Sequence, residues 1–229
     1  MSSALAQRHA ETLQAAYGGL EARALVEVLV RREFPGTLAV TSSFGAEAAV
    51  LLDIVASVDA DLPVIFLDTD ALFDETLDYV KTLSARLGLT NLRIIRPEAA
   101  DLREADELWR SDPDRCCYLR KVLPLEKATA GFRALIDGRK QVHGGERGNL
   151  GKFQAAANGA IKISPLADWS VEDVERAMIE RDLPRHPLVA QGYRSVGCYP
   201  CTRPTAPGES PRSGRWAGQA KTECGIHKI

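Results

Sequence analysis

Short β-favouring runs alternate with helix-length runs through the first half of the chain, and this alternation restricts the fold more than any other feature. TLAVTSS at residues 37–43 leads through Gly45 into the apolar helical segment AEAAVLLDIVASV. LPVIFLDT at residues 62–69 precedes the amphipathic run FDETLDYVKTLSARLG, and LRIIRP at residues 92–97 follows as a third strand. Strands that alternate with helices in this way predict an α/β fold, a mainly parallel sheet covered by helices on both faces. Ligands of such sheets bind beyond the carboxyl ends of the strands.

Local signals predict the regions that flank this alternation. Apolar residues at helical spacing occupy residues 4–33 and stop at a Phe-Pro-Gly sequence, which predicts an N-terminal helical segment over residues 1–36. Further on, CCYLRKVLPLEKATAG predicts a helix, RALIDG and NGAIKIS predict strands, and Ser170 with Asp173 resembles a capping pair at a helix start. From His186 onward the chain is coil rich in Pro, Gly and Ser, and its segment PTAPGESPRSGRW is expected to form a mobile loop or arm rather than core.

The charge balance and the lack of a long apolar run argue against two classes of protein. The chain carries 29 Lys and Arg residues against 31 Asp and Glu residues, whereas proteins that hold nucleic acid through their overall charge are strongly basic. No stretch approaches the ~18 consecutive apolar residues of a membrane helix, and Arg8, His9 and Glu11 stand where a signal peptide would be apolar. We therefore expect a cytoplasmic protein that binds neither nucleic acid nor membrane. The sequence leaves the oligomeric state open, a homo-oligomer included.

Five cysteines fall into two pairs and a single residue. Cys116 and Cys117 are neighbours, Cys198 and Cys201 form a CxxC, and Cys224 stands near the end of the chain. This arrangement indicates metal or thiol chemistry rather than a disulfide framework. Four thiolates are enough for an iron–sulfur cluster or a structural zinc site, and zinc usually uses two separated pairs. Because adjacent cysteines project in different directions, the pattern favours a cluster, although the doublet alone is also typical of buried packing.

The segment SSFGAE lies between the first predicted strand and its helix. Ser42, Ser43, Phe44 and Gly45 place hydroxyls and backbone N–H groups at a helix N-terminus, an arrangement that binds phosphate or sulfate. The segment is not a Walker A motif, because no Gly-Lys-Ser/Thr follows. An ordinary strand-to-helix turn capped by Ser is the alternative.

A second polar segment ends the second predicted strand with Asp68, Thr69 and Asp70. Carboxylates at the carboxyl edge of a parallel sheet can accept hydrogen bonds from ribose hydroxyls or from an adenine amine. The alternative is an acidic turn that caps the next helix.

The run KTECGIHKI places Cys224 close to Lys221 and His227, which favour the thiolate and so lower the pKa of a thiol, while Glu223 opposes that shift. The alternative is an incidental exposed thiol.

Several cations near the cysteine motifs could gather around a phosphate or sulfate, although such residues are commonly solvated surface. They are Arg120, Lys121, Arg139, Lys140, Arg212 and Arg215.

Six segments occur in one order, namely SSFGAE, FLDTDALFDET, CCYLRK, GYRSVGCYPCTRP, RSGRW and KTECGIH. Together they resemble the assimilatory adenylyl-sulfate and phosphoadenylyl-sulfate reductases over residues 37–229. The two cysteine pairs resemble the cluster-containing branch, which generally uses adenosine 5′-phosphosulfate, whereas members without them generally require the 3′-phosphorylated substrate. The resemblance implies an adenosine-nucleotide α-hydrolase-like fold, with a nucleotide- and cluster-binding domain at residues 37–202 and an arm at residues 203–229 that carries the catalytic cysteine.

The resemblance also implies roles for individual residues. A four-iron, four-sulfur cluster is expected on Cys116, Cys117, Cys198 and Cys201. Lys121 would link the cluster electrostatically to the substrate, whose phosphosulfate is expected on Arg139, Arg212 and Arg215. Cys224 is the implied nucleophile, with His227 beside it in the closing tail.

The chain departs from the family pattern at two positions. Asp70 stands where a Gly usually follows LDT, and Asp137 stands where Thr or Ser usually precedes the Gly of the GRK segment. Both residues add negative charge near the expected anion site.

The implied reaction is thioredoxin-dependent reduction of adenosine 5′-phosphosulfate in sulfate assimilation. Cys224 would attack the sulfate sulfur, AMP would leave, and reduced thioredoxin or glutaredoxin would release sulfite from the resulting S-sulfocysteine. One alternative is the same reaction on the 3′-phosphorylated substrate. An ATP-pyrophosphatase-type adenylating enzyme would share the fold but carry an SGGxDS-like loop, which SSFGAE lacks. A non-catalytic iron–sulfur redox sensor would leave the nucleotide loop unexplained.

Overall fold

Six short strands form one sheet in the computed structural model, which describes residues 3–144, 147–219 and 221–227. Their order across the sheet is β3-β2-β1-β4-β6-β5, and every neighbouring pair is parallel except β5 with β6. This arrangement confirms the predicted mainly parallel sheet. The strands are β1 (Leu38–Thr41), β2 (Val64–Leu67), β3 (Leu92–Ile95), β4 (Ala134–Ile136), β5 (Phe153–Ala155) and β6 (Ile161–Ile163).

Helices cover both faces of the sheet, as predicted. Alternate strand residues explain why, since Leu38 and Val40 of β1 belong to one large apolar core while Ala39, between them, belongs to a smaller core on the opposite face. The described helices are α1 (Ser3–Tyr17), α2 (Ala22–Val28), α3 (Ala48–Val58), α4 (Asp74–Leu87), α5 (Ala99–Glu104), α6 (Leu108–Ser111), α7 (Pro113–Cys117), α8 (Leu123–Thr129) and α9 (Val171–Glu180). Helices α2, α3 and α9 contribute to the large core, and α8 contributes to the smaller one.

Two predicted helix ends have the expected local chemistry. Gly88 follows α4 in the left-handed conformation, with a φ of 65°, and its N–H donates to the preceding turn. At the start of α9, Ser170 Oγ accepts from the Asp173 N–H while the Asp173 carboxylate accepts from the Ser170 N–H.

The N-terminal region differs in detail from the single helical run that the apolar spacing predicts. Two helices replace that run, because the chain turns at Gly18 and Gly19 before α2 begins, and α2 continues into a π-helical turn at Leu29–Glu33. Helix α1 packs on β5, where Gln14 Oε1 accepts from the Phe153 N–H at 3.1 Å. Strand β5 was not predicted, because three residues after a glycine-rich stretch are too short to show a periodic pattern. Gly145 and Glu146 of that stretch lie outside the described residues.

The expected C-terminal arm has no helix or strand over its described part, residues 203–219 and 221–227. It nevertheless buries two side chains, Trp216 at 3% exposure and Cys224 at 9%. The arm therefore lies against the body of the protein in this conformation, and its mobility stays a prediction. Across the described residues, no helix combines the length and apolar character that crossing a membrane requires.

Candidate active site

A cavity of about 230 Å³ lies at the carboxyl ends of β1, β2 and β4, where a parallel sheet of this type binds its ligands. Residues from several distant parts of the sequence meet there. Of the predicted site residues, those that line it are Ser42, Ser43, Gly45, Thr69, Lys121, Arg139, Arg212, Arg215, Cys224 and His227.

Phe44 fixes the backbone conformation of the loop that follows β1. Its backbone adopts a φ of 48°, its N–H donates to Ser42 Oγ at 3.1 Å, and its ring is fully buried against Phe66 with centroids 5.4 Å apart. A non-glycine residue in this left-handed conformation needs compensation, which the buried ring supplies. The prediction placed Phe44 in the substrate site, but its side chain belongs to the apolar core and does not line the cavity. Ser42, Ser43 and Gly45 are the loop residues that do.

The predicted Asp68 and Thr69 have separate surroundings. Asp68 pairs with Arg96 at 2.8 Å and accepts from the Asp70 N–H at 3.2 Å, and it does not line the cavity. Thr69 does line it, and Thr69 Oγ1 lies 3.2 Å from Cys198 Sγ. Asp70 follows with a φ of 56°, a conformation that glycine adopts without strain.

All four paired cysteines line a second cavity of about 80 Å³. Cys116 and Cys117 end helix α7, whose first turn is capped by Asp112, and Cys198 and Cys201 flank a short 3₁₀ turn. All four are free thiols, and over the described residues no three His, Cys, Asp or Glu side chains are grouped to hold a single metal ion. Four thiols around one small cavity are a donor set that fits an iron–sulfur cluster.

Lys121 lies between the two cavities and lines both. The π-helical turn Tyr118–Val122 buries this side chain to 9% exposure. Burial alone would lower the pKa of Lys121, but the nearby sulfurs of Cys198, Cys224 and Cys117 outweigh it and raise the pKa. The same ammonium and the Thr69 hydroxyl hold the pKa of Cys198 below its usual range, against the opposing effect of burial. Lys121 is therefore a fixed positive charge that joins the cysteine cavity to the larger one.

Arg139 lines the larger cavity, and one nitrogen of its guanidinium group has no hydrogen-bond partner. Asp137 Oδ2 accepts from Arg139 Nε at 2.8 Å, and Asp137 Oδ1 accepts from Ser164 Oγ at 2.7 Å. Burial would raise the pKa of Asp137, but Arg139 and the Ser164 hydroxyl hold it below its usual range. The Asp137 charge is thus neutralised and orients Arg139, while Arg139 Nη2 is buried without a hydrogen-bond partner. Such an orphaned donor suits an anionic ligand.

Arg215 also has an unsatisfied donor. Its Nη1 donates to the Val196 carbonyl at 3.2 Å, whereas its Nε is buried without a partner. The guanidinium lies 4.5 Å above the buried Trp216 ring, and the Lys221 ammonium lies 5.7 Å from the same ring. The aromatic ring therefore helps to hold two cations at the edge of the site.

Sequence patterns did not indicate the contacts that five residues of the site make. Lys140 Nζ donates to Glu47 Oε2 at 2.8 Å, and His143 Nε2 lies 3.2 Å from the same oxygen. Burial opposes ionisation of Glu47, but these two partners lower its pKa to about 2. Lys140, which was predicted as one of the cations that could gather around a phosphate or sulfate, is therefore already paired with a carboxylate. The remaining two are Arg147 and Glu223, which pair across the cavity.

Cys224 faces this cavity from the arm and contacts Cys117 and Trp216. The structure corrects the prediction that the adjoining His227 favours the thiolate of Cys224. Burial lowers the pKa of His227 to about 3, so it is neutral at pH 7 and does not supply the expected positive charge.

Arg212 lines the cavity as predicted, but it lies 3.2 Å from Glu223 and its Nη2 donates to the Thr222 carbonyl at 2.8 Å. Burial and the neighbouring Arg147 lower the pKa of Arg212 to about 10.

The larger cavity thus combines a thiol with cations that retain free donors, and it borders a four-thiol cavity. This combination can bring a sulfur nucleophile to a phosphate- or sulfate-bearing ligand.

Comparisons with known proteins agree with this arrangement. The family described as the phosphoadenosine phosphosulfate reductase domain matches residues 37–204. Adenosine 5′-phosphosulfate reductase of Mesorhizobium japonicum is 49% identical over 218 residues, which cover 94% of this chain and 85% of that protein. The enzyme of the same name from Chelativorans sp. (strain BNC1) is 48% identical over 226 residues, 97% of this chain and 92% of that protein.

A solved structure has the same fold. Phosphoadenylyl-sulfate reductase from Candida auris, crystallised as a phosphate complex, superposes with a TM-score of 0.74 and 28% identity, covering 86% of this chain and 97% of that one. The chain therefore belongs to the phosphoadenosine phosphosulfate reductase family.

Proposed function

We propose that the chain reduces adenosine 5′-phosphosulfate to sulfite and AMP in cytoplasmic sulfate assimilation, with Cys224 as the nucleophile and a reduced dithiol protein as the electron donor. The observation that carries this proposal is the placing of Cys224 in one cavity with Arg139 and Arg215, both of which have buried donors without partners. A thiol alone would suit many reactions. A thiol beside unsatisfied guanidinium groups suits transfer of an anionic group.

In the first step the Cys224 thiolate attacks the sulfate sulfur. The bond between that sulfur and the bridging oxygen breaks, AMP leaves with the bonding electrons, and S-sulfocysteine remains. Two anions approach each other in this step, so Lys121, Arg139 and Arg215 reduce the repulsion and stabilise charge on the departing phosphate. Serine hydroxyls and backbone N–H groups of residues 42–45 bind the remaining phosphate oxygens.

In the second step a thiolate of reduced thioredoxin, or of glutaredoxin, attacks Cys224 Sγ. The S–S bond to the sulfonate breaks, sulfite leaves, and a mixed disulfide forms. The second thiol of the reductant then displaces Cys224 as a thiolate, so the dithiol is oxidised to a disulfide while the bound sulfonate is reduced to sulfite. Cys224 is 9% exposed in this conformation, so this step requires the arm to open.

A four-iron, four-sulfur cluster is proposed on the four paired cysteines, Cys116, Cys117, Cys198 and Cys201. When bound, such a group would contribute to the electrostatic field at the site rather than supply electrons. Lys121 lines both cavities, so its ammonium would lie between such a group and the substrate anion. Thr69 provides a second link, since its hydroxyl lies 3.2 Å from Cys198 Sγ.

The relatives at 48–49% identity are named for adenosine 5′-phosphosulfate, which supports that substrate. The 3′-phosphorylated nucleotide is a second candidate because the Candida auris protein of similar fold is named for it. Adenylation of a substrate has no comparable support, and a sensor role would leave the cavity cations without a ligand.

Turnover with the two nucleotides tests the proposal. Purified protein, with thioredoxin, thioredoxin reductase and NADPH, should form sulfite faster from adenosine 5′-phosphosulfate than from its 3′-phosphorylated form. Arg203→Met is a matched control because Arg203 forms an exposed ion pair with Glu209 within the same arm, and it should retain activity. Faster turnover of the 3′-phosphorylated form would reverse the substrate assignment. Sulfite from neither nucleotide would refute the reductase function.

A further inference from the structure

The arm is tied to the body of the protein immediately before Cys224. We propose that Arg147 and Glu223 form a latch that holds Cys224 inside the cavity, which makes both positioning residues. The proposal rests on the proposed function only in taking Cys224 as the nucleophile.

The geometry of the latch is bidentate. Arg147 Nε donates to Glu223 Oε1 at 2.7 Å, and Arg147 Nη2 donates to Glu223 Oε2 at 3.0 Å. Each side chain is only 11% exposed. Planar guanidinium–carboxylate pairs of this kind combine charge with a fixed relative orientation. Because Glu223 is covalently adjacent to Cys224, fixing its carboxylate also restricts where the sulfur lies.

The two partners come from separate parts of the chain. Arg147 follows the glycine-rich stretch after β4, 76 residues before Glu223, and neither residue belongs to a strand or an α-helix. The latch therefore joins two irregular segments across the cavity. Opening the arm would take no side chain from the large core, although Ile226 would leave the smaller core, against which it packs.

Neighbouring contacts on the arm are of a different kind. After Cys224, the Ile226 carbonyl accepts from Lys162 Nζ at 3.1 Å. Before it, the Lys221 ammonium pairs with Asp114, whose side chain is 89% exposed. Lys221 itself is 10% exposed, but water competes for its exposed partner, so this pair is weaker than one that is buried on both sides. The latch is buried. Loss of Glu223 leaves Arg147 without its carboxylate partner, whereas loss of Arg147 leaves Glu223 paired only with Arg212 of the same arm, so either change removes the tie between arm and body.

Arg212 is the third member of this charge group. It lies 3.2 Å from Glu223 Oε2 and, like Arg147, lines the cavity. Arg212 belongs to the arm itself, so its pair with Glu223 lies within the arm, and of these two cations only Arg147 ties Glu223 to the body. An anionic substrate in the cavity would lie beside both cations.

Alkylation of native protein tests the latch without any turnover. Iodoacetamide would be added to wild-type protein, to Arg147→Met and to Glu223→Gln, and the tryptic peptide 222–228, in which Cys224 is the one cysteine, would be quantified over time. Opening of the arm should raise the alkylation rate of that peptide at least about tenfold in both variants, as expected from loss of a charge-assisted pair. Peptide 195–212, with Cys198 and Cys201, reports general unfolding in the same digest.

Three further variants make the test specific. Arg147→Lys keeps the charge and should restore part of the protection, and the Arg147→Met, Glu223→Gln double variant should react no faster than the faster single variant. Arg203→Met removes an exposed Arg–Glu pair from the same arm and should react at the wild-type rate. If Arg147→Met does not fold, the nearly isosteric Glu223→Gln decides alone.

An unchanged rate in Glu223→Gln, an equal increase in Arg203→Met, or parallel increases in peptide 195–212 would each overturn the latch. The sulfite assay is a separate measurement. If the arm opens in a latch variant but the wild-type protein makes no sulfite, the latch proposal stands and the proposed reaction is refuted.

Discussion

Asp137 shows how a carboxylate is accommodated beside a cavity built for an anion, and Asp137→Asn tests that explanation. Its Oδ1 accepts from the Arg139 N–H at 3.1 Å and from Ser164 Oγ at 2.7 Å, and its Oδ2 accepts from Arg139 Nε at 2.8 Å. Asparagine can keep the two Oδ1 contacts. It places an N–H₂ group opposite Arg139 Nε, however, so one charge-assisted hydrogen bond and the neutralising charge are lost.

The expected cost follows from burial. A charge-assisted hydrogen bond contributes about 1.5–3 kcal/mol, and removing one partner of a buried ion pair costs about 3–5 kcal/mol. Asp137 is 5% exposed and Arg139 is 8% exposed, so water cannot replace the lost carboxylate. Because two of the three hydrogen bonds can survive, we expect the lower part of that range, a decrease of about 3 kcal/mol in the free energy of unfolding.

Urea unfolding at several pH values measures this difference. The folded state lowers the pKa of Asp137 from 3.8, so the carboxylate stabilises the protein above that pH and its contribution falls as acid protonates it. The difference between wild type and Asp137→Asn should therefore be constant from neutral pH down to about pH 5 and shrink below pH 3.8. Asp78→Asn, in an exposed pair with Lys81, is the control and should change stability little. A decrease for Asp137→Asn no larger than that of the control would refute the reasoning.

Three more predictions follow from the site and the core. Cys224→Ser should abolish sulfite formation but keep the visible absorption and iron content of the wild type, whereas zinc without iron in freshly purified wild type would contradict the cluster. Lys121→Met should lower kcat by about 100-fold, since it removes a preorganised charge, and an unchanged kcat would contradict its role. His186 is buried, and its pKa is lowered by burial to about 4. Its Nδ1 accepts from the Leu188 N–H at 3.2 Å, so the neutral ring carries its proton on Nε2, which lies 3.0 Å from Thr76 Oγ1. Only the unfolded state then binds a proton between about pH 6.5 and 4, so wild type should lose up to about 3 kcal/mol of stability over that interval. His186→Gln should lose less, and equal losses measured by urea unfolding would argue against this assignment.

Much of the fold could be predicted because each of its main elements has its own local pattern. Strands β1, β2 and β3 are short, mostly apolar runs bounded by turn residues. Of the helices between them, α3 is strongly apolar and α4 is amphipathic and ends at Gly88. Strand β5 lacks such a pattern, since its three residues pair through Phe153 and Ala155 at the sheet edge and depend on α1 for cover. Tertiary contacts, rather than local propensity, make it a strand.

The cavity positions of the paired cysteines and of Ser42, Ser43 and Gly45 could be predicted for the same reason, because each motif is contiguous. The ion pairs of the site could not. Glu47 and Lys140 are 93 residues apart, and Arg147 and Glu223 are 76 apart, so nothing local marks either as a pair. The protonation state of His227 also depends on its burial by residues that are remote in the sequence. Its position close to Cys224 in the sequence does not indicate that burial.

Trapping the covalent intermediate tests the central proposal most directly. Protein would be incubated with adenosine 5′-phosphosulfate in the absence of any dithiol, quenched in acid, and mapped by mass spectrometry of its tryptic peptides. We expect one added SO₃ group, located on Cys224 in peptide 222–228, together with an equal amount of AMP. A sulfonate on any other cysteine, or release of AMP and sulfite with Cys224 unmodified throughout, would contradict the account.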